Sequence, residues 1–146
     1  MPSRFVLTLL ALLSWNAAAG GQPATGAPAD LAPSPEVERG RYLVHDVAMC
    51  VQCHSQRDRR GELLPDRLLE GGPVPVASPF AGPRWAFTAP NLRRAPGYDE
   101  EELVRLLTRG ITRLGGVPRG PMPPFRMTDE DARAVWAYLR SLSPTR

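Results

Sequence analysis

The chain has 146 residues, of which 42% are hydrophobic, and its 18 basic and 15 acidic residues give a net charge of +3. Every basic residue is an arginine, and the arginines are scattered without a basic block or a stripe of interleaved aromatic residues. This length and balance predict one small globular domain and exclude nucleic acid as a partner.

The first 19 residues have the pattern of a secretory signal peptide. Arg4 provides a positive start, residues 5–13 form an apolar run, and residues 16–19 offer small side chains for cleavage. We predict cleavage near Ala19 and export to the periplasm, with an uncleaved membrane-anchoring helix as the alternative. Residues 20–33 are rich in Pro, Ala and Gly and are predicted to be a flexible leader. Residues 34–146 then form the folded domain.

Ser34 and Pro35 mark the start of the first predicted helix, because serine is favoured at the N-cap and proline at the first helical position. We predict a helix from Pro35 to about Asp46, followed by a bend into a short turn at Cys50–His54. Gly40 lies inside this helix, where glycine costs stability. We therefore expect it to mark a close crossing with another helix.

The pentapeptide Cys50-Val51-Gln52-Cys53-His54 contains both cysteines of the chain. A CxxCH sequence is the attachment motif of c-type haem. Residues three apart lie on one face of a helical turn, so both thiols can reach one edge of a porphyrin. His54 then lies close beneath the ring, where an imidazole nitrogen can bind the iron. We therefore predict one covalent haem c held by Cys50, Cys53 and His54.

Three other interpretations of this motif are open. A redox-active dithiol would need a lowered thiol pKa and a strand-to-helix context, whereas the segment before Cys50 has a helical pattern. A zinc site would need four ligands, and the only histidine besides His54 is His45. The third is a chance occurrence of the five residues.

Residues 56–96 show little regular pattern. The leucines at residues 63–69 predict at most one or two helical turns, and the prolines and glycines of residues 71–96 are too frequent for a helix or strand. Apolar residues are nevertheless spread through this long loop, and such loops usually cover something. We predict that it covers the haem. Arg84 and Trp85 are candidates to bond a haem propionate, with a core tryptophan beside a surface arginine as the alternative.

Two capped amphipathic helices are predicted in the second half of the chain. Asp99 begins the first of them with Glu102 as its capping-box partner, and Gly110 ends it. Its apolar positions are Leu103, Leu106, Leu107 and Ile111. Thr128 begins the last helix with a capping-box pattern. The buried face predicted for that helix consists of Ala132, Val135, Trp136, Leu139 and Leu142, with Tyr138 at one side.

From about residue 35 to residue 143 the chain resembles a monohaem class I cytochrome c. More narrowly, it is similar to the cytochrome modules of bacterial periplasmic and membrane-bound alcohol and sugar-acid dehydrogenases. Besides CxxCH, the matching stretches are GRYLV (40–44), APNL (89–92), YDEEELV (98–104), MP (122–123), DED (129–131) and AYLRSL (137–142). The resemblance implies an all-α cytochrome c fold whose N- and C-terminal helices cross beside the covalently bound haem. Gly40 and the Trp136/Tyr138 face would meet at that crossing.

The resemblance also implies a second axial iron ligand, a methionine in the loop before the last helix. Met122 lies in the proline-rich loop there and is the ligand we predict. Met49 adjoins Cys50 on the histidine side, and Met127 directly precedes the last helix, so packing roles are expected for both. His45 is the alternative, which would give an iron bound by two histidines.

The predicted function is electron transfer and not catalysis. We expect a periplasmic c-type cytochrome that passes single electrons through a His/Met-ligated haem from a periplasmic dehydrogenase to another cytochrome or an oxidase. It would meet the membrane only through its partners, as a free carrier or as a permanent subunit. The alternative is a five-coordinate haem protein that binds or reduces a small ligand such as a peroxide or nitric oxide. That alternative requires the Met122 loop to lie away from the haem.

Overall fold

The computed structural model describes residues 32–79, 85–95 and 97–142. The predicted signal peptide at residues 1–19 lies outside the described residues, as do Arg84 and all of the predicted leader except residues 32 and 33. Within the described ranges, no helix combines the length and the apolar character needed to cross a membrane.

The described residues form four α-helices and one short sheet. The helices are α1 (Pro35–Tyr42), α2 (Cys50–Cys53), α3 (Glu100–Arg109) and α4 (Asp129–Ser141). A π-helical turn (Leu43–Val47) connects α1 to α2, and a 3-10 turn covers Pro65–Arg67. Strand β1 (Gly72–Pro73) pairs antiparallel with β2 (Thr88–Ala89), with Gly72 opposite Ala89. The predicted all-α class therefore needs a correction, because a two-residue ribbon forms within a segment that the sequence predicted to be irregular.

The helix and the bend predicted before the CxxCH motif are both present. Ser34 Oγ caps α1 by accepting a hydrogen bond from Val37 N at 3.3 Å. The helix widens from α to π at Leu43, whose carbonyl accepts a hydrogen bond from Ala48 N at 2.8 Å. Met49 then adopts φ 50°, in the left-handed region, and this single residue turns the chain into α2.

Helices α1 and α4 approach each other closely at Gly40. A Cβ atom on Gly40 would lie 1.9 Å from Ala134 O and 2.7 Å from Tyr138 Cβ, so only glycine permits this approach. The sequence predicted the close approach and the involvement of Tyr138. It was wrong about Trp136, which is half-buried with Arg140 5.4 Å above its ring, while Ala134 lies in the contact.

The core lies where the π turn, α3 and α4 face one another. Its buried apolar residues include Leu43, Val44, Leu103, Val104, Leu106, Leu107, Val135, Tyr138 and Leu139. Three of the four apolar positions predicted for α3 are therefore buried, and the fourth, Ile111, lies beyond the helix and is half-buried. An ion pair between Arg39 and Asp131 at 2.9 Å also joins α1 to α4. Because it is largely exposed, it adds only about 0–1 kcal/mol to stability.

The Asp99→Ala variant is expected to lower the free energy of unfolding by about 1 kcal/mol, the usual cost of losing an N-cap. Asp99 Oδ1 accepts a hydrogen bond from Glu102 N at 2.8 Å, and Asp99 N donates to Glu102 Oε2 at 3.1 Å. The midpoint of guanidinium unfolding measures the change. Glu101→Ala in the same exposed turn is the control, and equal midpoints for the two variants would contradict a stabilising capping box.

Candidate functional site

A mostly apolar cavity of about 400 Å³ lies between the helices, and Cys50, Cys53, His54 and Met122 all line it. Its volume falls within the range of small-molecule and cofactor sites. The apolar walls come from the π turn, the loop before α3, and helices α3 and α4; they include Val44, Leu92, Leu103, Leu107, Val135 and Leu139. The fold therefore brings together the four predicted site residues, although they come from two distant parts of the sequence.

The two cysteines lie at opposite ends of α2, one helical turn apart. The turn is closed by a hydrogen bond from His54 N to Cys50 O at 2.9 Å. Both thiols are free, and both residues are half-buried. Burial raises the pKa of the Cys50 thiol to about 11, so this thiol is protonated at neutral pH. A redox-active dithiol needs the opposite shift, and the dithiol interpretation is therefore disfavoured.

His54 is buried and held in one tautomer. Its Nδ1 lies 2.8 Å from the carbonyl oxygen of Pro90. Because a carbonyl can only accept, Nδ1 carries the proton and Nε2 keeps its lone pair. Burial lowers the pKa of His54, which favours the neutral imidazole over the imidazolium. A neutral ring with one nitrogen fixed by a carbonyl is the usual form of a metal-binding histidine.

Two residues of this site were missed by the sequence analysis. Pro90 belongs to the APNL stretch that carried part of the resemblance, but its role is played by a backbone carbonyl, which no side-chain pattern reveals. Arg119 is the one Asp, Glu, Lys or Arg among the described residues that line the cavity. It lies in a proline-rich loop without periodicity, so nothing in the sequence indicated which way it faces.

His45, the alternative ligand, is engaged elsewhere. Its Nε2 lies 2.7 Å from Tyr138 Oη, and the two rings meet edge to face with centroids 5.6 Å apart. His45 is not among the residues that line the cavity. The bis-histidine and zinc interpretations both depended on His45, and the structure does not bring it to the two cysteines.

The three methionines of the described chain differ in position. Met122 is half-buried and lines the cavity from the loop before α4, with its backbone N donating to Arg119 O at 3.2 Å. Met49 also lines the cavity, but it is 54% exposed and directly precedes Cys50. Met127 packs against the core and does not line the cavity. Of these three, only Met122 therefore reaches the cavity from a segment remote from the CxxCH motif.

Trp85 does not have the partner predicted for it. Its indole Nε1 donates to the carbonyl of Val76 at 3.2 Å, and its ring lies against Gly120. The indole N–H is therefore used within the protein and does not point to a propionate in this arrangement. The companion residue in that prediction, Arg84, lies outside the described residues.

The residues of the cavity fit a covalently attached haem. Two thiols and a neutral imidazole are the donor set that a CxxCH motif supplies, and the apolar walls suit a large macrocycle. Arg119 provides a positive charge at the lining, which suits a group that bears two carboxylates. In chemistry, size and charge, the site matches the cofactor predicted from the sequence.

Comparison with known proteins gives the same result. The family described as cytochrome c oxidase, cbb3-type, subunit III matches residues 35–139, which is most of the chain. The chain belongs to this cytochrome c family. The predicted family is thereby confirmed, and with it the electron-transfer role of the cytochrome c domain, which is not a catalytic one.

The cytochrome c domain is also similar to parts of several larger proteins. It is 34% identical over 132 residues to a diheme cytochrome c-type protein of Cereibacter sphaeroides, covering 86% of this chain and 41% of that protein. It is 32% identical over 117 residues to a subunit of the nicotinate dehydrogenase of Pseudomonas putida, covering 75% and 9%. It is 29% identical over 133 residues to the cytochrome c subunit of alcohol dehydrogenase (quinone) of Gluconacetobacter polyoxogenes, covering 80% and 27%. The chain thus spans less than half the length of these relatives.

Proposed function

We propose that this protein is a periplasmic electron-transfer cytochrome with one haem c, attached through Cys50 and Cys53 and ligated by His54 and Met122. The observation that carries the proposal is the apolar cavity that all four residues line. When bound, the haem supplies an iron that exchanges one electron between its ferrous and ferric states. The protein binds this group, sets its potential and limits access to it.

The proposed proximal ligand is Nε2 of His54. The other ring nitrogen is occupied by the carbonyl of Pro90, so the ring orientation and the tautomer are set before any metal is bound. The hydrogen bond also makes the imidazole more basic and hence a stronger ligand. Pro90 therefore acts on the proposed ligand through a backbone atom.

The proposed distal ligand is the thioether of Met122. A thioether stabilises ferrous iron relative to ferric iron, so His/Met ligation raises the reduction potential above that of two imidazoles. The alternative function, a haem that binds or reduces a small ligand, required the Met122 loop to lie away from the cavity. Met122 lines the cavity, which supports the electron carrier.

The apolar walls from α3 and α4 have a role of their own in this proposal. Leu103, Leu107, Val135 and Leu139 are buried and line the cavity. Side chains packed in helices exclude water and hold their positions when the charge of a bound group changes. A small structural rearrangement on electron exchange is what a carrier requires.

The proposed donor is a periplasmic dehydrogenase, and the proposed acceptor is another cytochrome or an oxidase. Two of the relatives are by name subunits of an alcohol dehydrogenase and of a nicotinate dehydrogenase. Export would use the signal peptide at residues 1–19, and residues 34–146 would form the haem-binding domain that meets the membrane only through its partners. Purification from the native host distinguishes a free carrier from a subunit, because a subunit copurifies with its dehydrogenase.

Changing both Cys50 and Cys53 to Ala is expected to remove all haem that survives denaturing electrophoresis, because both thioether bonds are lost. The wild-type protein, produced in a host that matures c-type haem, should carry one haem per chain by pyridine haemochrome absorbance. Gln52→Ala preserves both cysteines and His54 and is the matched control. A colourless wild-type protein, or covalent haem in the double variant, would refute the proposed attachment.

A further inference from the structure

One short segment, residues 85–91, makes hydrogen bonds to both halves of the proposed haem site. At one end the carbonyl of Pro90 accepts from Nδ1 of His54 at 2.8 Å. At the other end Ala86 N donates to the carbonyl of Gly120 at 2.7 Å, two residues before Met122. The segment therefore links the strand that orients the proposed proximal ligand to the loop that carries the proposed distal ligand.

This segment is itself well supported. Its β2 residues pair with β1, and Val74 N donates to Phe87 O at 3.0 Å just beyond the pairing. The indole N–H of Trp85 donates to Val76 O at 3.2 Å, which ties the start of the segment to the same stretch of chain. The segment thus offers a fixed surface against which the Met122 loop can be held.

The Met122 loop needs such a support because it is poor in backbone donors. Prolines occupy positions 118, 121, 123 and 124, and none of them has an N–H group. Gly120 supplies the carbonyl that accepts from Ala86, and Met122 N donates only locally, to Arg119 O at 3.2 Å. The contact between Ala86 and Gly120 therefore fixes the loop to the rest of the domain immediately before the methionine.

The indole ring of Trp85 completes this contact. A Cβ atom on Gly120 would lie 3.0 Å from Cε3 and 3.1 Å from Cζ3 of the ring. The ring thus occupies the space that a side chain at position 120 would need, and the absence of a side chain there lets the two segments approach closely. The backbone φ of Gly120 is not positive, so this close approach is the reason for glycine.

We infer that Trp85 and Gly120 are positioning residues that hold Met122 at the cavity, so that the proposed thioether ligand can withstand competition from external ligands. This inference rests on the proposed ligation by Met122. An external ligand must first displace the methionine, so its apparent affinity rises as the methionine is held less firmly. Trp85 and Gly120 would then determine how closed the site is, without touching the haem iron.

The test measures the affinity of the ferric holoprotein for imidazole, together with the weak far-red sulfur-to-iron absorption band. In Gly120→Ala the new methyl group presses on the Trp85 ring, and in Trp85→Leu the ring surface is lost. Each variant is expected to bind imidazole at least about fivefold more tightly and to show a weaker far-red band, as for an overpacked or underpacked contact. Because the two changes act on one contact, the double variant should show less than the product of the single effects.

Two controls separate positioning from general damage. Gly116→Ala adds a methyl group in the same loop, where the nearest atom is Thr112 Oγ1 at 3.8 Å, and should bind imidazole as the wild type does. Val104→Ala removes buried volume from α3 away from the cavity lining, so it should lower the unfolding midpoint without changing imidazole affinity.

The outcomes are distinct. If Met122→Ala leaves the far-red band intact, the proposed ligand is wrong, and the inference fails with it. If Met122→Ala abolishes the band while Gly120→Ala and Trp85→Leu stay within twofold of the wild type, only the positioning role is overturned. Should Gly120→Ala fail to retain haem, Trp85→Leu decides the question by the same criterion.

Discussion

Replacing Met122 by alanine should convert the absorption spectrum of the ferric protein from low-spin to high-spin. The far-red sulfur-to-iron band should disappear, and carbon monoxide or cyanide should bind readily. The reduction potential should fall by on the order of 100 mV, a modest part of the roughly 0.8 V range that axial ligands control. Absorption spectroscopy and a potentiometric titration measure both effects.

The physical reason lies in what alanine cannot do. Met122 lines the cavity from the loop before α4, and its thioether is the proposed sixth ligand. A methyl group leaves that position open to water or to added ligands, and it removes the sulfur that favours ferrous iron. An unchanged spectrum would therefore assign the sixth position to another residue.

Met49 and Met127 provide matched controls with the same truncation. Met127→Ala should alter only stability, because Met127 packs against the core and does not line the cavity. Met49→Ala is the sharper control, since Met49 also lines the cavity. A high-spin spectrum in Met49→Ala, with a normal spectrum in Met122→Ala, would assign the ligand to Met49.

Gly40→Ala should destabilise the protein by about 3 kcal/mol or more, at the upper end of what overpacking a close contact costs. The new Cβ would lie 1.9 Å from the oxygen and 2.6 Å from the carbon of the Ala134 carbonyl. These are backbone atoms, so no side-chain rotation relieves the clash, and α1 must move away from α4. Guanidinium unfolding of the holoprotein measures the loss.

Two further variants sharpen this experiment. Ala134→Gly combined with Gly40→Ala should not restore stability, because the clash is with the backbone of Ala134 and not with its methyl group. Gly116→Ala introduces the same change at an open position and should be close to neutral. Wild-type stability in Gly40→Ala would mean that α1 and α4 do not approach as closely as the structure has them.

The features that were predictable from the sequence depend on residues close together in the chain. Asp99 and Glu102 form their capping box, Gly110 ends α3 with φ 70°, and Thr128 caps α4 by accepting from Asp131 N at 3.1 Å. The reciprocal half of the box predicted at Thr128 is not the contact that Asp131 makes, because its carboxylate pairs with Arg39. Local pattern thus determined where helices begin and end, but not every partner of their side chains.

The CxxCH motif is of the same local kind. Cys50, Cys53 and His54 are within one helical turn, so their spacing alone indicated the cofactor that they suit. The glycine at position 40 was likewise informative, because glycine inside a helix needs a reason, and a close helix contact is a common one.

Tertiary structure alone decided which distant atoms meet. The carbonyl of Pro90 reaches His54, Ala134 and not Trp136 lies against Gly40, and the ring of Trp85 covers Gly120 instead of binding a propionate. The physical reason is that a sequence encodes periodicity and caps through neighbours three or four residues apart. Contacts between backbone carbonyls, bare glycines and ring faces depend on how separate segments pack, and carry no signature within either segment.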